Sequence, residues 1–208
     1  MIIDIVQRKK DLYAASFTIY ENSKVAGVLQ LQGRFGSNEG VWNGQFQGRS
    51  IFMKRTGSGR IGDDTVFRPY AVHLADRENG TAYQTVYKKN FFNRIRFERL
   101  ILGNQTYELY TVGMGDKGIK CPVYSGERQI ALIEKESVIQ NDLYRYHIIA
   151  LDERAADIAV IFCCYVYVNS NYKAGSKVTA STQRNYIRTT NKFLLSKYNE
   201  NFERIYRD

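Results

Sequence analysis

The sequence predicts a mainly β chain: an antiparallel sheet closed around one central hydrophobic helix. Three observations carry that reading. From the N-terminus to about residue 151, short runs alternate apolar and polar residues with period two. Turn-forming residues separate these runs. A single stretch, Ala155 to Val168, is then apolar at every position except Asp157. The 16 tyrosines and 11 phenylalanines, beside only 2 prolines, suit strands rather than a loop-rich chain.

Taken in order, eleven strands are expected: Ile2 to Gln7, Leu12 to Tyr20, Val25 to Gln32, Gln45 to Lys54, Thr65 to His73, Thr81 to Tyr87, Arg94 to Leu102, Thr106 to Val112, Ile119 to Tyr124, Gln129 to Glu134 and Leu143 to Leu151. The turns between them are "ENSK" at 21 to 24, "FGSNEG" at 35 to 40, "TGSGRIGDD" at 56 to 64, "DRENG" at 76 to 80, "GNQ" at 103 to 105 and "SGE" at 125 to 127. Short strands joined by short turns pair antiparallel, as a sandwich or a barrel.

At "LDERAADIAVIFCCYVYV" the pattern changes. Asp152 is placed to cap a helix whose first turn Glu153 favours. Valines and aromatics over the same residues would also suit a strand, the alternative assignment. A strand apolar on both faces fits poorly in an antiparallel sheet, where one face normally meets water. A helix apolar all round has to be surrounded, and a closed sheet does that. Beyond Val168, "NSNYKAGSKVTASTQRN" reads as a polar linker. Leu194, Tyr198, Phe202 and Ile205 then form the stripe of an amphipathic helix. The division expected is 1 to 168 for the barrel and 169 to 208 for a basic linker and C-terminal helix.

Many strands followed by a wholly apolar helix resemble the tubby C-terminal-like superfamily, to which the LURP-one-related proteins and phospholipid scramblases also belong. "YTVGMGDKGIKCPVY", "IALIEKESVIQNDLYRYHIIALDE" and "ADIAVIFCCYVYV" are similar to small bacterial tubby-C-like domains, over roughly Thr65 to Val168. The resemblance implies a twelve-stranded antiparallel barrel around the helix. It also implies binding of phosphoinositides on a basic exterior patch.

"TVGMGDKGIK" places Gly113, Gly115 and Gly118 in the spacing of a dinucleotide fingerprint. That fingerprint needs a helix after the last glycine, to point its N-terminus at the pyrophosphate. "IKCPVY" follows instead and reads as a strand, so "GDKG" is expected to be a hairpin turn with positive φ at its glycines.

The net charge is +9, with the basic excess at the two ends of the chain, which ranks anionic partners first. "YKKNFFNRIRFERL" is expected to turn Arg94 and Arg96 to one face and Ile95 and Phe97 to the other, one basic and one buried. The candidate anion-binding set is Arg49, Lys54, Arg55, Lys88, Lys89, Arg94, Arg96, Lys117 and Lys120. Partners expected are an anionic phospholipid surface, then a protein partner or second copy through 192 to 208, then nucleic acid stacked on interleaved aromatics.

His73 and His147 stand without ligand-spaced partners. Cys121, Cys163 and Cys164 make no disulfide framework and have no evident activating base. The reading is therefore a non-enzymatic binding or scaffold module without cofactor or metal. A cytoplasmic location, peripheral at the membrane where lipid is bound, fits the reduced cysteines, the absence of an apolar leader in "MIIDIVQRKK" and the lack of an apolar run of about 20 residues.

Overall fold

The computed structural model describes residues 1–11, 13–33, 40–57, 60–61, 64–75, 78–90, 93–171, 182–184 and 186–207. In chain order the strands are β1 (Ile2–Lys10), β2 (Ala14–Glu21), β3 (Lys24–Gly33), β4 (Gly40–Phe46), β5 (Arg49–Arg55), β6 (Arg60–Ile61), β7 (Asp64–Thr65), β8 (Phe67–Leu74), β9 (Glu78–Asn90), β10 (Asn93–Leu102), β11 (Gln105–Leu109), β12 (Val112–Gly115), β13 (Ile119–Ser125), β14 (Arg128–Lys135), β15 (Val138–Gln140) and β16 (Arg145–Ala150). Helix α1 (Glu153–Val166) follows and ends in a π-helical turn, Tyr167–Asn171. The tail holds β17 (Thr182–Arg184), β18 (Ile187–Arg188), α2 (Lys192–Lys197) and α3 (Glu200–Arg207).

Twelve strands close into an antiparallel ring in the order β11-β10-β9-β8-β5-β4-β3-β2-β1-β16-β14-β13, and the pairing of Leu109 with Val123 joins β11 to β13. No strand of that ring is left with an open edge. Alternate residues point inward: Ile3 and Ile5, Phe17 and Ile19, Leu29 and Leu31, Ile51 and Met53, Val72 and Leu74, Leu100 and Leu102. They meet α1, which is buried at every position from Ala155 to Tyr165. The helix starts where expected, because the Asp152 carboxylate accepts the Ala155 N–H at 2.8 Å.

One barrel strand escaped the sequence reading. Gln45 to Lys54 is not a single strand but the end of β4, a turn and β5. Gln47 (φ 49°) and Gly48 (φ 76°) form the turn, both left-handed, as a two-residue hairpin of this twist requires. β4 itself was hidden by its glycines, read as turn material. Gly44 is there because a side chain would meet the carbonyl of Val28 on β3 at 2.3 Å. Most of the expected "FGSNEG" turn, parts of those at 56 to 64 and 76 to 80, and Leu12 lie outside the described residues. Asn22 and Ser23 turn at positive φ as "ENSK" suggests.

Of the expected linker, residues 172–181 and 185 lie outside the described residues, and the described part of the tail holds more than one helix. β17 pairs with β15 and β18 with β12, so part of the polar segment is strand laid against the barrel. The helix breaks at Tyr198, whose backbone is extended (φ −83°, ψ 122°). Asn199 then accepts the N–H of Asn201 at 3.0 Å and begins α3. Phe202 is buried with Leu132 and Ile149 on the outer face of the barrel, while Ile205 at the end of the expected stripe is 62% exposed. Lys197 sits over three rings, with its ammonium 4.7 Å from the centroid of Tyr110, 5.0 Å from Tyr124 and 5.3 Å from Phe193. No described helix is long and apolar enough to cross a membrane.

The glycine motif is a hairpin. Gly115 (φ 67°) and Gly118 (φ 82°) carry the turn between β12 and β13, and the Met114 N–H donates to the Gly118 carbonyl at 2.9 Å. Gly113 has another task. A Cβ there would lie 2.4 Å from the carbonyl oxygen of Ile187, so the missing side chain is the seat of β18.

Candidate functional site

The barrel has two mouths. Hairpins at 22–23, 47–48, 103–104 and 126–127 surround the start of α1. The opposite mouth surrounds the end of α1 and carries the β12–β13 hairpin and the tail strand β18.

Residues of the expected anion site divide between these places. Arg49 lies at the first mouth with its Nε 2.9 Å from Asp157 and Nη1 3.4 Å from Glu153, so its charge serves to hold α1. Lys120 is buried, in contact with Glu134 and 3.2 Å from Glu203 of α3. Lys54, Arg55, Arg96 and Lys117 belong to the second mouth, with Lys54, Arg96 and Lys117 exposed. The side chains of Lys88, Lys89 and Arg94 lie outside the described residues. Arg96 is exposed while Ile95 and Phe97 are buried, as expected, but the exposed basic residue is not on the outer face of the barrel. It has the parity of Glu98, Leu100 and Leu102, which point into the barrel, and it is exposed because β10 runs out beyond the mouth. The outward residues are the apolar ones: Phe97 is stacked on Tyr110 with centroids 5.3 Å apart.

Inside the second mouth, between α1 and the wall formed by β10, β11, β13, β14 and β16, is a pocket of about 250 Å³. Phe162 and Val166 of α1 form one side, with Leu109, Ile119 and Ile133 opposite, and Ile187 of β18 lies across the entrance. Three groups in this apolar setting are perturbed. Glu98 is reached at 3.3 Å by the Gln84 side-chain amide at Oε1, while its Oε2 is shut from solvent with no hydrogen-bond partner. Although the residue as a whole is only partly buried, burial of the carboxyl pushes its pKa up to about 7, against a smaller lowering by Gln84. Lys135 is 8% exposed, its ammonium 4.4 Å from the centroid of the Tyr144 ring, and burial pulls its pKa down to about 8. The Cys121 thiol, facing both, is pushed up to about 12 by burial and by the Glu98 charge.

A small apolar cavity with a few converging polar groups is the usual form of a ligand site, and groups titrating near neutrality mark functional positions more often than structural ones. Sequence reasoning missed it. Glu98 and Lys135 each sit in an alternating strand with charged neighbours, where a charge normally faces water. The available signal was parity: Glu98 falls in step with Leu100 and Leu102, on the face that has to be buried.

A second groove runs outside the same end. Asp4, His147, Glu134 and Lys120 are direct partners across β1, β16, β14 and β13, with His147 Nδ1 3.0 Å from Asp4 Oδ1. Within it Lys120 is ion-paired with Glu134. His73 Nδ1 is 2.5 Å from Asn79 Oδ1. Among the described residues no three His, Cys, Asp or Glu side chains are placed to share a metal ion. Comparison of the chain with protein-family models, with curated proteins and with solved structures finds no match.

Proposed function

We propose that this chain is a non-enzymatic binding module of the tubby-C-like kind, and that it takes a small, mostly apolar ligand into the pocket at the second mouth of its barrel. The observation that carries this reading is Glu98 Oε2, a buried acceptor without a protein partner on the wall of a mostly apolar pocket. Such an atom costs about 1–3 kcal/mol unless something bonds to it. A ligand with a polar end does so. The barrel around an apolar helix supports the tubby-like part of the reading.

Binding rather than catalysis is supported by the state of Cys121, which lines the pocket with Glu98. With a pKa of about 12, Cys121 is a thiol at neutral pH and a poor nucleophile. A second reading, recognition of anionic phospholipid headgroups, draws support from Lys54, Arg96 and Lys117, exposed at the rim of the same mouth.

The test is a titration of octanoate, octylamine and 1-octanol followed by amide resonances of the protein. At least one is expected to shift Cys121, Ile133, Lys135 and Cys163 saturably, and Val166→Trp, which fills the pocket, is expected to abolish those shifts. No saturable shift with any of the three, or shifts that Val166→Trp leaves intact, would end the pocket reading. Loss of salt-sensitive binding to anionic vesicles on replacing Lys54, Arg96 and Lys117 with glutamine would favour the lipid reading instead.

A further inference from the structure

We propose that the outside of the barrel carries a second site, for a methylated ammonium group of the choline type, walled by Tyr110, Tyr124 and Phe193 and filled by the chain's own Lys197 ammonium. None of these residues lines the pocket.

The walls come from three elements. Tyr110 lies between β11 and β12, Tyr124 on β13 and Phe193 on α2. The Tyr110 ring meets Tyr124 at 81° and Phe193 at 70°, with centroids 5.9 and 6.0 Å apart, so the rings form a corner rather than a stack. The corner is fixed from behind. Tyr110 is 4% exposed, its ring stacked on Phe97, its hydroxyl donating to Glu108 at 2.5 Å and its N–H to the Pro122 carbonyl at 3.2 Å. The Tyr124 hydroxyl donates to the Lys197 carbonyl at 2.7 Å, a backbone contact that does not depend on the side chain at 197. Glu108 is paired with Arg99 at 2.6 Å, so its charge is spent there. On the other wall burial raises the Tyr124 pKa and the Glu127 charge adds to the rise, which places a carboxylate near this ring. Three π faces and a carboxylate nearby suit a cation.

Distance decides which cation. Lys197 Nζ stands 4.7, 5.0 and 5.3 Å from the three centroids. An N–C bond spans about 1.5 Å. Methyl groups on a nitrogen at that point would therefore lie roughly 3.2–3.8 Å from the rings, close to the best carbon–carbon separation of about 3.5–4.0 Å. A bare ammonium leaves that shell unfilled. Hydrogen bonding points the same way, because a lysine ammonium has three N–H donors that ring faces satisfy poorly, and a trimethylated nitrogen has none. Lys197 is also a removable occupant. It ends α2, a six-residue helix without a buried residue, and its side chain is partly exposed. The tail has other anchors, since the Asn191 side chain caps α2 and Phe202 packs on Leu132 and Ile149. A swing of one flexible stem opens the corner and leaves in place the helix that supplies Phe193. A carboxylate or an uncharged group of the same shape gains nothing from the ring quadrupoles.

The experiment is a titration of the full chain with choline and with 3,3-dimethylbutanol, which has the shape of choline without its charge. Binding is read from the upfield ring-current shift of the ligand methyl signal. Lys197 acts as a tethered competitor. Lys197→Ala is therefore expected to bind choline about tenfold more tightly than the unmodified protein does, and about tenfold more tightly than it binds the uncharged analogue. Adding Phe193→Leu or Tyr124→Leu to Lys197→Ala is expected to weaken choline binding about tenfold. Phe193→Leu changes a residue of a surface helix, so its effect is separable from unfolding. Equal binding of choline and the analogue, no gain from Lys197→Ala, or choline binding that survives both wall substitutions would overturn the proposal. Undocking of α2 in Lys197→Ala, seen as displaced Thr189 and Phe202 resonances, would overturn it too, since the corner would then exist only around Lys197. Phosphatidylcholine vesicles sort the source of the group. Vesicle binding by Lys197→Ala that free choline displaces identifies a lipid headgroup, and choline binding without vesicle binding identifies a free methylated amine.

Discussion

At the mouth where α1 begins, each charge the helix presents meets an opposite one; at the mouth where it ends, Glu98 keeps an oxygen with no partner. Asp157 and Glu153 are held by Arg49, and Arg154 contacts Glu78 and donates to the Tyr107 hydroxyl at 3.3 Å. The Met1 ammonium closes the same end on the Ala150 carbonyl at 2.7 Å. At the other end the walls stop short of filling the space and leave a pocket. The division resembles that of other barrels, where one face maintains stability and the other carries the site. Stability and binding therefore respond to different residues.

The largest effect is expected at the sealed end. Arg49→Ala leaves the Asp157 carboxylate, 5% exposed, without its counter-ion. The expected loss is about 3 kcal/mol in denaturant unfolding at neutral pH. Burial already holds the pKa of Asp157 above its ordinary value, with Arg49 pulling the other way. Without Arg49 the folded pKa rises further above the unfolded one, so the deficit is largest at neutral pH and shrinks as the pH falls toward about 4. A deficit independent of pH would mean that Arg49 acts through its stem, packed near the Phe46 ring.

At the open end the sign reverses. Glu98 has a folded pKa of about 7, above its unfolded value of 4.5, so its protonated form stabilises the fold below pH 4.5 and this contribution is lost as the pH rises through 7. Glu98→Gln removes that loss. The variant is expected to be about 1–3 kcal/mol more stable than the parent at pH 8, and the gain to fade toward pH 4. Stabilisation by deleting a charge is the mark of a group kept for something other than folding. A destabilised variant at pH 8 would contradict the pocket assignment.

How much of this was legible in the sequence depends on which signal each residue leaves. The helix and its cap could be read because Asp152 is placed to cap it and because the apolar run to Val168, which also suits a strand, fits poorly in a sheet with one face in water. Ile3, Ile5, Leu29 and Leu31 follow the period of a strand and land inside. β4 was not legible, because Gly40 and Gly44 signal turns locally and are required for close backbone approach from elsewhere. Arg49 and Lys120 look like free cations in the chain and are ion-paired with Asp157, Glu134 and Glu203 in space. The pocket was least legible of all. It depends on where a closed ring of twelve strands fails to meet its helix, and no local pattern records that distance.

The smallest effect tests whether the open end has a roof distinct from the barrel. Gly113 is bonded to the tail twice: its N–H donates to Thr189 Oγ1 at 2.7 Å and its carbonyl accepts the Thr189 N–H at 2.9 Å. Gly113→Val would place a side chain 2.4 Å from the Ile187 carbonyl and push β18 away. β18 is two residues long and lies outside the ring of twelve, so global unfolding is expected to change by less than about 1 kcal/mol. The tail should stay tethered through Phe202 on Leu132 and Ile149 and through Lys197 among its three rings. What should change is local: faster amide exchange at Thr189, and faster release of whichever of octanoate, octylamine and 1-octanol the pocket holds once Ile187 no longer crosses the entrance. A variant that loses several kcal/mol of global stability would show instead that β18 is part of the barrel's own framework, and the two mouths would then differ only in how tightly they are closed.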